Sequence, residues 1–247
     1  MKKIVVLMAT AVVAMAFAAN ASAQLSVGAG YGLASHTRIT KTGNTTNTVD
    51  PLNMSGFYVN GTYEINFLSK NWGDLSVAPG LTYAFYGKCI SEESYKEEGI
   101  SFSEKSSRRD HYLDVPVHVK YAYNVIPGTL KLAAFAGPVF SFGLAATSIE
   151  KLEEGNDWIK ARSSLYTGKY VVKSSVSEDN ASGDEGDTDY SLFDLKLGLG
   201  ISATLFEKFD FRIAYNVGLF DRYTEKSETY KAISHTNVFQ IGVAYNF

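Results

Sequence analysis

The chain has 247 residues, 45% of them hydrophobic, 20% charged and 13% aromatic, with 23 Lys+Arg against 26 Asp+Glu for a net charge of −3. That balance excludes a basic nucleic-acid-binding surface, the aromatic content excludes a disordered chain, and a single cysteine excludes a disulfide framework or a multi-thiolate zinc site. Composition alone reads as a mildly acidic soluble domain, and it leaves 16 Tyr and 15 Phe without an obvious place.

The amino terminus reads as an export signal. Lys2 and Lys3 precede an apolar run from Ile4 to Ala19, and Ala21-Ser22-Ala23 puts small residues where a signal peptidase cuts. As a helix those 16 apolar residues reach about 24 Å, short of a hydrocarbon core of about 30 Å. No cysteine follows the run, which excludes a lipoprotein anchor at this site. Cleavage before Gln24 removes two lysines and moves the net charge to −5. The expected organisation is a signal peptide over 1–23 and one domain over 24–247.

The longest apolar stretch after it, 132–146, is interrupted by Gly137 and Pro138 and is too short to cross a bilayer as a helix. As a strand it is ample, at about 3.3 Å per residue.

From residue 25 onward the dominant signal is period two. Leu25, Val27, Ala29, Tyr31 and Leu33 alternate with Ser26, Gly28, Gly30, Gly32 and Ala34. The pattern recurs over 54–67, 74–87, 110–123, 129–145, 190–203, 209–220 and 236–247, which predicts eight strands. Connections at 68–73, 124–128 and 204–208 are short, whereas 37–53, 88–109, 146–189 and 221–235 are long and polar. Short turns on one side and long loops on the other are the asymmetry of an outer-membrane barrel. A closed ring also satisfies every backbone group in lipid.

Two barrels could carry this pattern, and they differ in which face is outside. A soluble barrel packs its large apolar set inward. An eight-stranded interior is only wide enough for side chains to fill it, and the alternate set here is glycine, alanine and serine with a few long charges. That set is too glycine-rich for a solvated face. The expected fold is therefore all-β: an eight-stranded antiparallel transmembrane β-barrel with short periplasmic turns and long extracellular loops, located in the cell outer membrane.

Several segments carry a family resemblance in the right order. They are Gly56-Phe57-Tyr58-Val59-Asn60-Gly61, Leu75 to Tyr83, Tyr112-Leu113-Asp114-Val115-Pro116-Val117-His118-Val119-Lys120-Tyr121, Ala136-Gly137-Pro138-Val139-Phe140, Phe193 to Gly200, and Tyr215 to Leu219 with the terminal Phe247. Together they resemble the PorT-like outer-membrane β-barrel domain family, over nearly all of 25–247. The chain departs from that family in its long connections and at His118, where an aliphatic residue is usual. The resemblance implies an eight-stranded outer-membrane barrel and no one shared activity. Pro79, Pro116 and Pro138 fall inside predicted strands, where each removes a ladder hydrogen bond. They are read as bulges or local breaks, not as strand ends.

Candidate chemistry lies on the inward parity: Glu64, Asp114, His118, Lys120, Lys131, Asp194, Lys196 and Arg212. Glu64, Lys120, Lys131 and Arg212 fall near the short-turn ends and can share one layer. Because buried charges must pair, the favoured reading is a charge network that plugs the lumen, ahead of a narrow ion or proton path. His118, between Asp114 and Lys120 on one face, has no nucleophile beside it. His36, His111 and His235 are expected at the membrane interface. No catalytic, cofactor or metal site is expected.

In the longest connection, 178–189 is rich in Asp and Glu and reads as a solvated, flexible tip, since its spacing matches no EF-hand. Residues 165–172 read as a hairpin extending past the membrane, and Cys89 as an inert thiol just beyond the third strand.

The expected function is that of a non-enzymatic structural or surface-interaction protein presenting long outer loops from a plugged barrel. The alternatives are a small channel or transport accessory and, more remotely, a membrane-embedded enzyme. Expected partners are outer-membrane lipid and an extracellular or periplasmic protein, with no nucleic acid and a monomeric chain.

Overall fold

The computed structural model describes residues 23–42, 45–97, 100–176, 181–184, 190–222 and 230–247. The export segment expected over 1–23 lies, Ala23 apart, outside them. The described strands are β1 (Ala23–Thr42), β2 (Thr45–Lys70), β3 (Gly73–Glu97), β4 (Ile100–Ile126), β5 (Leu130–Glu154), β6 (Asp157–Ser164), β7 (Lys169–Ser174), β8 (Ala181–Asp184), β9 (Phe193–Leu205), β10 (Phe209–Gly218) and β11 (Tyr230–Asn246). All pairings are antiparallel.

Eight strands close into a ring in the order β1-β2-β3-β4-β5-β9-β10-β11, with β11 returning to β1. This is the predicted barrel. The three short connections are tight because their residues permit it: Gly73 takes φ +143°, Gly128 takes φ +72°, and Phe206 and Glu207 sit together in the left-handed region. The last pair forms the centre of a tight turn closed by Lys208 N–H to the Leu205 carbonyl at 3.0 Å, within the three-residue connection 206–208.

The long connections depart from expectation. They are continuations of the strands themselves: β1 and β2 run on to Thr42 and from Thr45, β3 to Glu97, β4 from Ile100 and β5 to Glu154. Above the lipid both faces of a strand meet water, so alternation stops while hydrogen bonding continues. β6, β7 and β8 pair in turn on the upper half of β5 and lie outside the ring. The hairpin expected over 165–172 falls differently: its strands are β6 and β7, and 165–168, with Gly168 at φ +65°, is their turn, which comes back to the barrel mouth and does not extend past the membrane. Part of the acidic segment expected to be a flexible tip is instead β8, paired with β7; 178–180 and 185–189 lie outside the described residues.

The prolines are local breaks, and none is a bulge. Pairing of β3 with β4 lapses between Pro79↔Val117 and Thr82↔Asp114 and resumes in the same register. β4 with β5 does likewise between Pro116↔Val139 and Val119↔Ala136. Register shifts occur elsewhere, at His36/Arg38, Asn66/Leu68, Cys89/Ser91, His111/Tyr112 and Asn124/Ile126.

The faces are inverted as the parity requires. Val27, Phe57, Leu81, Ile201 and Phe211 are at least half exposed, while Ser26, Asp114, Asp194, Lys196 and Ser202 on the other parity are buried. The outward apolar band gives way to polar positions at Ser35, Ser55, Arg109 and Asn237, which marks its upper limit. The interior is not purely polar. Met54, Tyr58, Tyr86, Tyr112 and Val238 form an apolar cluster inside the ring. Tyr58 fits because Gly30 and Gly242 face it; a β-carbon at the first would collide with its ring and one at the second with its hydroxyl.

Candidate functional site

The lumen is filled in layers. At the short-turn end Lys131 Nζ lies 3.2 Å from Asp74 Oδ2, and the Ser69 hydroxyl donates to the same carboxylate at 2.5 Å. Just above, Lys120 Nζ donates to Glu64 at 2.8 Å, and Ser76 Oγ donates to the other Glu64 oxygen at 2.8 Å. Arg212 spans the barrel, with Nε on Asp210 at 2.5 Å, Nη2 on Ser26 at 3.0 Å and Nη1 on Thr62 at 3.3 Å. Thr204 completes the Asp210 shell at 2.9 Å.

Over this layer is a cavity of about 70 Å³ whose walls include Tyr58, Asn60, His118, Ser202 and Asn216. The buried Nε2 of His118 and Oγ of Ser202 make no protein hydrogen bond. A polar cavity of this size is large enough to admit water to those atoms. Above it the Asp114 carboxylate accepts from Ser141 Oγ at 2.5 Å, Ser141 accepts from Lys196 Nζ at 2.9 Å, and Lys196 is 3.8 Å from Asp114. Asp194 is buried beside them with no side-chain hydrogen-bond donor.

Beyond the apolar band the mouth is closed by a cap centred on Arg222, which is fully buried. Its Nη2 donates to the Tyr166 hydroxyl at 2.6 Å and the Ser191 carbonyl at 3.1 Å, and its Nη1 to the Tyr112 hydroxyl at 3.0 Å. The guanidinium also lies over the Tyr190 ring at 4.7 Å, a geometry that favours a desolvated cation. Asp110 joins the same layer: Arg108 grips both its oxygens at 2.9 Å, Tyr112 donates to it at 2.9 Å, and His36 Nε2 lies 3.3 Å away. His36 Nδ1 meets Thr236 Oγ1 at 3.0 Å. Burial pushes the His36 imidazole down to about 4, so it is neutral at pH 7. Burial would raise the Asp110 carboxyl, but His36 and Arg108 outweigh it and hold the group below the usual carboxylate range.

The eight predicted lumen residues all face inward, and the structure sorts them into pairs that parity alone did not specify. Glu64 meets Lys120, and Asp114 meets Lys196. Lys131 and Arg212 find Asp74 and Asp210, two carboxylates the sequence reading passed over. His118 joins neither Asp114 nor Lys120; its ring lies against Phe135 at a centroid distance of 5.0 Å. Of the three histidines expected at the interface, His111 is there, bonded to the Tyr83 hydroxyl at 2.7 Å, and His235 is half-buried, its Nδ1 3.2 Å from the Phe220 carbonyl. His36 is not, because its even position puts it on the inward face, buried in the cap. The cap was missed altogether, although even parity in the first strand already pointed His36 inward. Cys89 is exposed and lies within β3. Among the described residues no three His, Cys, Asp or Glu side chains cluster to hold a metal.

A family model described as the outer membrane protein beta-barrel domain matches residues 4–247. No curated protein matches the sequence. Among solved structures, the attachment invasion locus protein Ail of Yersinia pestis, crystallised with the heparin analogue sucrose octasulfate, is 14% identical, with 91% of this chain and 99% of that chain covered and a TM-score of 0.32. The outer membrane enzyme PagL is 7% identical over 87% of this chain and 98% of its own, with a TM-score of 0.39. The outer membrane protease OmpT from Escherichia coli is 10% identical over 91% and 97%, at 0.35. Likeness at this level says nothing of activity.

Proposed function

The chain belongs to the outer membrane protein β-barrel domain family, and from that premise we propose that it is a non-enzymatic surface protein whose sealed barrel holds up a tall extracellular sheet. The narrower PorT-like kinship, resting on ordered strand motifs such as 112–121 and 193–200, is part of the same proposal. So is export by a cleaved signal peptide over 1–23, with the folded chain acting as a monomer.

One observation carries the reading: the lumen is interrupted twice, by the Arg212–Asp210 layer below the 70 Å³ cavity and by the Arg222 cap above it. Lys120, Lys131, Lys196 and Arg212 are each engaged by a carboxylate within 4 Å, an arrangement suited to filling space. The strand extensions add the complement, because they raise hydrogen-bonded sheet well above the apolar band, where an outer partner would meet it.

Planar-bilayer recording tests the sealed barrel. The purified chain should give no steady conductance. Reproducible ohmic openings would overturn the reading in favour of a small channel.

A further inference from the structure

Above the lipid, β3 to β8 form one side of a wall whose two faces differ in charge. In β4, Lys105 shares parity with His111 and Leu113, so it stands on the outward side, six residues or about 20 Å of strand beyond the interface. Directly opposite Lys105 is Lys151 on β5; opposite Lys151 is Lys160 on β6; opposite Lys160 is Lys173 on β7. Four lysines on adjacent strands make one straight row, about 14 Å long at strand spacing. Acidic side chains lie mainly on the other face, where Glu104 pairs with Leu152, Glu150 with Ala161 and Glu154 with Asp157.

Like charges directly opposite one another in a sheet are destabilising, and this row is only half compensated. Glu92 meets Lys105 at 3.1 Å and Glu153 meets Lys151. Among the described residues no carboxylate lies within ion-pair distance of Lys160 or Lys173, nor of Arg162, which shares their face. All three are exposed. A row of cations half of which have no carboxylate partner among the described residues is matched by a linear set of anionic groups.

The direction of the face selects the source. The row continues the lipid-facing side of the barrel upward, so it looks sideways into the headgroup layer around the protein and not up into the medium. We propose that this basic face binds the phosphorylated sugars of the glycolipid in the surrounding outer leaflet, with Lys160 and Lys173 as its principal contacts. The site lies outside the ring and is independent of whether the lumen conducts.

The test uses the full chain folded in detergent micelles, titrated with purified lipopolysaccharide. Lys160→Gln/Lys173→Gln should weaken binding roughly tenfold or more. Lys70→Gln/Lys208→Gln, an equal loss of charge at the short-turn end, should change it less than about twofold. Lys160→Arg/Lys173→Arg should keep affinity near wild type, and enzymatic removal of the lipid phosphates should abolish the difference between wild type and the Lys160→Gln/Lys173→Gln variant. Equal weakening by both charge-matched variants, or undiminished binding to dephosphorylated lipid, would overturn the site. Loss of binding to soluble dextran sulfate with lipopolysaccharide affinity unchanged would overturn it in favour of a polyanion reaching the face from the medium. Heat-modifiable gel mobility identifies folded variants, and Lys173→Gln alone serves if the double variant does not fold.

Discussion

Arg222 donates to the hydroxyl of Tyr166 across 2.6 Å, although the two are 56 residues apart. Tyr166 belongs to the turn of the outer hairpin, which is no part of the ring, and Arg222 follows the last residues of β10. The contact therefore ties the extracellular sheet to the barrel mouth. Further backbone bonds hold the same junction, from Ser191 N–H to the Arg222 carbonyl at 2.8 Å and from Arg222 N–H to the Ser234 carbonyl at 2.9 Å.

Tyr166→Phe removes one hydrogen bond from a buried cation, a loss of about 1.5–3 kcal/mol. The barrel ring makes none of its ladder through Tyr166, so the loss should appear as local opening of the cap. Amide exchange at Ser191 and Arg222 should quicken about tenfold or more, with Ile213 and Ile241 in the lower ring unchanged. Uniform acceleration across the ring would show that the cap is coupled to global stability instead.

Gly143 gives Tyr166 its place. A β-carbon at 143 would run into the hydroxyl and ring of Tyr166. Gly143→Ala should therefore reproduce the exchange behaviour of Tyr166→Phe by pushing the ring out. In a Tyr166→Ala background the same change should have almost no further effect, since neighbours in contact are non-additive. An additive cost on the urea midpoint would place the strain in the strand.

How much of this was legible in the sequence follows from the range of each signal. Strand parity is local, so the ring, its short turns and its inverted faces could be read from residues such as Val27 against Ser26. Asp210 shares even parity with Arg212 and was legible too, but it opens its strand next to a turn and was passed over. The extensions were hidden because 88–97 alternates with nothing: both of its faces meet water. The cap was hidden for a different reason. Arg222 stands beyond the last alternating residue, and its partners Tyr112, Tyr166, Tyr190 and Ser191 come from three other parts of the chain, so only the closed ring brings them together.

Among the described residues Lys196 is the one lysine in the layer that holds Asp114 and Asp194. Lys196→Met leaves two buried carboxylates without their nearest cation, a change that typically costs about 3–5 kcal/mol. Adding Asp114→Asn should recover at least about 1 kcal/mol of it, because the amide accepts from Ser141 without a charge to solvate. Urea unfolding in lipid vesicles gives the cycle. If the second substitution only adds to the first, the pair is not coupled.

Acid should open the cap before it unfolds the ring. In the closed cap burial holds His36 at about 4, with Asp110 and Thr236 on its two nitrogens and Arg108 and Arg222 nearby. Once the cap opens, water restores the ordinary value of 6.5. The open form then binds the proton more readily, so stability of the closed form is complete above pH 6.5 and falls as pH drops towards 4, by at most about 3 kcal/mol. Asp110 acts in the same direction at lower pH: its depressed carboxyl stabilises the closed form above its ordinary value of 3.8, and that contribution is lost as protonation proceeds below it. Amide exchange at Thr236 and Ser191, measured between pH 7 and 4 and corrected for intrinsic rates, should show protection falling across that window. In His36→Gln, which has no proton to take up, the slope between 6.5 and 4 should vanish. A slope unchanged in that variant would assign the acid sensitivity to another group.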